Sequence, residues 1–89
     1  MKHLNIRVEG DVQGVGFRWS ARSVAGRLGI RGFVRNEPDG SVYIEAEGEE
    51  AALDQFMEWC RRGPGAATVE RVTVTEGPVK GSRGFDIRF

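Results

Sequence analysis

The apolar residues of this chain change period four times, and that alternation is the strongest constraint on its fold. Leu4, Ile6 and Val8 alternate with Asn5, Arg7 and Glu9, which marks a strand with one buried face. Ala21, Val24, Ala25 and Leu28 then recur at helical spacing, with Gly29 placed as a C-terminal helix glycine. Period two returns over residues 30–36 and again at Val42, Ile44 and Ala46. Between these runs, Glu37-Pro38-Asp39-Gly40 reads as a tight turn, which makes the pair an antiparallel hairpin. Leu53, Phe56, Met57 and Cys60 form a second helical stripe, stopped by Gly63-Pro64-Gly65. Val72 and Val74 mark a strand within residues 68–76, and Phe85, Ile87 and Phe89 alternate in a last one.

This order is β-α-β-β-α-β, with room for one short extra strand. It predicts an α+β, ferredoxin-like (split βαβ) two-layer sandwich, with two helices on one face of a mostly antiparallel sheet. With 89 residues and no linker or low-complexity stretch, residues 1–89 are expected to form a single domain. Gly26 is out of place inside the first helical pattern; close approach of that helix to the sheet would account for it.

Charge excludes several function classes. Thirteen basic residues balance thirteen acidic ones, so no chain-wide field draws nucleic acid or an anionic membrane. No apolar run is long enough to span a bilayer. One cysteine, Cys60, forms no intrachain disulfide, and the first residues lack the apolar block of an export signal. The expectation is a cytoplasmic monomer.

The chemistry concentrates in Gly10-Asp11-Val12-Gln13-Gly14-Val15-Gly16-Phe17-Arg18. A strand that turns through glycines into a helix leaves backbone N–H groups aimed at one spot. The helix N-terminus adds partial positive charge there, and Arg18 adds a full one. The stretch is neither a dinucleotide fingerprint, which needs a third glycine, nor a Gly-Lys-Ser/Thr phosphate loop. Asn36 is the second candidate: polar at a buried parity, at a strand end, and able to donate to one oxygen and accept from a water. The other candidates read as structural. His3 is expected to be a solvated terminal residue, Cys60 core, Trp59 a flank of the second helical stripe, and Glu47, Glu49 and Glu50 charges at a helix start. No set of residues has metal-ligand spacing, and no cofactor is implied.

Both candidates lie in a pattern that resembles the acylphosphatase family. The first stretch matches G-x-V-Q-G-V-[GF]-F-R at every position from Gly10 to Arg18. Gly32-Phe33-Val34-Arg35-Asn36, then Gly40, Val42 and Gly48, match G-[FYW]-V-[KR]-N-x3-G-x-V-x5-G. The resemblance implies metal-free hydrolysis of the carboxyl-phosphate bond of acyl phosphates, with inorganic phosphate as product inhibitor. It implies that Arg18 and the backbone amides of Gln13, Gly14, Val15, Gly16 and Phe17 hold the phosphoryl group, and that Asn36 positions the attacking water. Trp19-Ser20 and Gly26 depart from the family's usual choices and leave substrate preference open.

A binding module is the competing reading. RNA-recognition motifs share the element order, and Arg31-Gly32-Phe33 opens like one of their boxes. The match fails at Val34, Arg35 and Asn36, and it lies on the second strand instead of the third.

Overall fold

The computed structural model describes all residues, Met1–Phe89. The elements run β1 (Lys2–Asp11), α1 (Phe17–Leu28), β2 (Arg31–Asn36), β3 (Val42–Gly48), α2 (Glu50–Arg62), β4 (Thr68–Gly77) and β5 (Phe85–Arg88). The strands form one sheet in the order β4-β1-β3-β2-β5. β1 pairs antiparallel with β3 and β4, and β2 antiparallel with β3. The fifth strand, β5, runs parallel to β2 and widens the sheet by one edge.

The periods read from the sequence are the buried faces. Ile6 and Val8 of β1, Val34 of β2 and Val42, Ile44 and Ala46 of β3 share the side that meets Phe17, Ala21, Val24 and Ala25 of α1 and Leu53, Phe56, Met57 and Cys60 of α2. Burying each large side chain contributes roughly 1.5–3 kcal/mol, against the chain entropy it costs to order them. α1 ends as its glycine predicts: Gly29 is left-handed at φ 71°, and the Ile30 N–H reaches back to the Ala25 carbonyl at 2.9 Å. The hairpin turn is held by Asp39, whose carboxylate accepts the Ser41 N–H at 2.9 Å and the Ser41 hydroxyl at 2.6 Å.

Four expectations need correction. Gly26 is not pressed on the sheet; it is exposed, and a Cβ there would meet nothing within 4 Å. Phe89 is not part of the last strand, which ends at Arg88; its ring is 93 % exposed. His3 is not solvated. It is fully buried, as is Glu47, which belongs to β3 instead of the start of α2.

Candidate active site

β1 and β2 both run antiparallel to β3, so they are parallel to each other and their C-terminal ends share one end of the sheet. β1 leads into the glycine loop there, and β2 ends on Asn36. Gly14 (φ 74°) and Gly16 (φ 78°) are left-handed, which folds the loop sharply into α1. A Cβ at either position would meet nothing within 4 Å. Conformation, not crowding, therefore calls for glycine, and the loop faces open space.

Gly16 caps α1 without a side-chain acceptor, and no acid stands in the first turn. None of the backbone N–H groups of residues 13–19 donates a hydrogen bond within the protein. Helix geometry leaves only the first few donors free; the glycine turn extends that free run backwards into the loop. The helix dipole adds to it.

The Gln13 side chain does something its position in the motif did not announce. Its Nε2 donates to the carbonyls of Glu37, at 2.7 Å, and Ser41, at 2.9 Å. One amide thus clips the glycine loop to the β2–β3 turn and brings Asn36 beside it. Phe17 anchors the other end: it is buried, with its ring 5.1 Å from that of Trp59. Trp59 is half-buried and also stacks on Phe56 at 6.0 Å, so it is a bridge between α2 and the loop.

A cavity of about 90 Å³ lies between these parts, lined by Val12, Gly14, Gly16, Phe17, Arg18, Trp19 and Asn36. Of the residues expected from the sequence, Gly14, Gly16, Phe17, Arg18 and Asn36 line it, whereas Gln13 and Val15 do not. Phe17 can offer only its backbone, since its ring belongs to the core. The Arg18 guanidinium makes no ion pair. Nη1 donates to the Arg88 carbonyl at 3.2 Å, and the group lies over the Phe89 ring at 4.6 Å. Other exposed arginines also lack acidic partners; Arg18 differs in being held beside free N–H groups. Neither contact was legible in sequence, because they join residues 70 or more positions apart.

The acylphosphatase family model matches residues 4–87. The acylphosphatase of Synechococcus strain CC9311 is 56 % identical over 81 residues, 91 % of this chain and 90 % of that one. The acylphosphatase of Thermotoga maritima is 52 % identical over 89 residues, 100 % of this chain and 99 % of the relative. The crystal structure of acylphosphatase from Bacillus subtilis superposes with a TM-score of 0.97 at 39 % identity, covering 100 % of both chains.

The chain belongs to the acylphosphatase family.

Elsewhere in this acylphosphatase fold, titratable groups are tied to one another. His3 lies between two carboxylates, with Nδ1 3.1 Å from a Glu47 carboxylate oxygen and Nε2 2.8 Å from one of Glu45. Glu47 also accepts the N–H groups of Lys80, Gly81 and Ser82. Burial works to raise the Glu47 pKa, but the His3 side chain and these N–H groups outweigh it and hold the carboxyl down at about 2. The sequence signal for this cluster was weak: His3 and Glu47 alternate out of phase with the buried positions of their strands, which ordinarily means solvent. Burial, against the opposing pull of the Arg61 charge, pushes the Cys60 thiol up to about 12, so it is a core residue and not a nucleophile.

Proposed function

We propose that this protein hydrolyses the carboxyl-phosphate bond of acyl phosphates, releasing a carboxylate and inorganic phosphate, without a metal or other cofactor. The observation that carries the reading is the run of free N–H groups at residues 13–19, of which Gly14 and residues 16–19 line one cavity together with Asn36. Family membership supports the substrate class.

In this mechanism the loop amides and the Arg18 fork hold the phosphoryl oxygens. Charge-assisted hydrogen bonds contribute about 1.5–3 kcal/mol each, and a guanidinium holds two oxygens where an ammonium is a point charge. Asn36 orients a water in line with the bond to the acyl oxygen. The water oxygen bonds to phosphorus, the phosphorus–acyl oxygen bond breaks, and its electrons leave with the carboxylate. Asn36 is no base near neutral pH, so the water's proton passes to a phosphoryl oxygen of the substrate. A carboxylate is a good leaving group, so positioning and charge stabilisation are what the protein must supply. Inorganic phosphate, which retains the held oxygens, inhibits as product. The enzyme acts as a monomer in the cytoplasm.

Benzoyl phosphate and p-nitrophenyl phosphate test the reading together. Rapid turnover of the first, with little of the second and no loss in EDTA, is the expected result. Comparable rates on both substrates, or abolition by the chelator, would overturn it.

A further inference from the structure

Trp19 is the least explained residue of α1. The face of that helix that packs inward is Phe17, Ala21, Val24 and Ala25, and Trp19 is not on it. Its side chain is 62 % exposed. The one aromatic or cationic neighbour across its ring is Arg22, whose guanidinium carbon lies 5.5 Å from the ring centroid. An exposed indole in a chain this small gives up apolar area that could have been buried.

Its place gives that exposure a purpose. Trp19 lines the cavity that holds Arg18 and Asn36, and it also lines a second, larger groove of about 470 Å³. Arg22 and the β5 strand with Phe89 form the rest of that groove. Phe89, 93 % exposed, is its other open aromatic face, and the same ring supports the Arg18 guanidinium. The groove and the small cavity share Trp19 as a common wall. Its volume falls within the roughly 300–1,000 Å³ of small-molecule sites, whereas the cavity of about 90 Å³ has no space for a bulky acyl group.

We propose that the Trp19 indole and the groove behind it form the acyl subsite, and that they select acyl phosphates with a flat aromatic acyl group over those with a short aliphatic one. This rests on the acyl phosphate reading above. With the phosphoryl group among the loop amides, the acyl group leaves the cavity across the indole. A flat ring there takes an offset or tilted arrangement on Trp19, of the kind aromatic pairs prefer. Acetyl is too short to use it. Arg22 and Arg88 flank the groove against one acid, Asp86, so an anionic substituent on the ring is tolerated.

The test compares benzoyl with acetyl in two ways on the wild type, Trp19→Ala and Trp19→Phe. Hydrolysis of benzoyl phosphate and acetyl phosphate reads kcat and KM separately. Calorimetric binding of benzoylphosphonate and acetylphosphonate, which carry no hydrolysable bond, reads acyl preference without turnover. The wild type is expected to prefer benzoyl in both, through KM more than kcat. Trp19→Ala is expected to lower the benzoyl-to-acetyl ratio by about tenfold, and Trp19→Phe to restore most of it. Inorganic phosphate binding separates a collapsed cavity from a lost acyl contact. A wild type with no preference, or a preference that survives in Trp19→Ala, overturns the proposal. Phosphonate preference that depends on Trp19 in a protein unable to hydrolyse either acyl phosphate would uphold the subsite and overturn the hydrolase reading instead.

Discussion

The two ends of the sheet each gather polar groups, and they treat them in opposite ways. At one end the carboxylate of Glu47 is surrounded by donors, with His3 and three consecutive backbone N–H groups of the β4–β5 connection. β4 and β5 lie at opposite edges of the sheet, so that connection must cross it, and Glu47 fastens the crossing. At the other end, the N–H groups of residues 13–19 donate to nothing in the protein, and Asn36 makes no side-chain hydrogen bond although it lines the same cavity. Buried polar groups are ordinarily paired. A cluster paired within itself holds the fold together; donors left free around a small cavity are prepared for a ligand. On the proposed reading, the contrast separates structural from functional polarity without reference to residue type.

Four substitutions break or sharpen that contrast. The largest effect is expected from Asn36→Ala, which should lower kcat on benzoyl phosphate by roughly 10²–10³ while inorganic phosphate still binds. Near-normal turnover would remove Asn36 from the reaction. Next comes Arg18→Lys, expected to weaken both turnover and phosphate inhibition by about 10- to 100-fold. Inhibition constants measured on both proteins decide this, and an unchanged phosphate affinity would place Arg18 outside the site.

At the opposite end the effects should be on stability alone. The Glu47 carboxyl sits at about 2 in the fold against an ordinary 4.5. A lowered folded value means its stabilisation is complete above pH 4.5 and is lost as pH falls toward 2. Thermal unfolding across that window should show wild-type stability dropping with acid. Glu47→Gln should start lower at neutral pH and fall less steeply, with kcat on benzoyl phosphate little changed. A variant with a wild-type acid profile would mean that the carboxylate does not fasten the crossing. The smallest effect is expected at Gly26. Its position is exposed and has space for a Cβ, so Gly26→Ala should stabilise the fold by about 0.4–1 kcal/mol in a denaturant titration. A loss of stability would show that the helix needs glycine there.

Much of this was legible in the sequence, for a physical reason. Hydrophobic period and turn chemistry are local, so the strands, both helices, the Gly29 cap and the turn at Asp39 could be read in place. Gly14, Gly16 and Arg18 were singled out because backbone conformation and charge at a helix start are local too, and Asn36 because a polar residue at a buried parity of a strand end is read from its own strand. What escaped were contacts between distant segments: the Gln13 clip on Glu37 and Ser41, the Phe89 ring beneath Arg18, and the burial of His3. His3 misled because its alternation pointed to solvent, whereas in the fold it is enclosed beside Glu45 and Glu47, the latter also taking the N–H groups of residues 80–82. Gly26 misled in the other direction, since a glycine in a helix invites a packing reason and here has none.

The central claim is that the free N–H groups of residues 13–19 are the phosphoryl cradle and that the donors around Glu47 are not. An amide-resolved NMR titration with inorganic phosphate tests it directly. Saturable shifts are expected at the backbone amides of Gly14, Val15, Gly16, Phe17 and Arg18 and at the Asn36 side chain, with those of Lys80, Gly81 and Ser82 unmoved. Shifts centred on any other part of the sheet, or no saturable shift in the glycine loop, would contradict it.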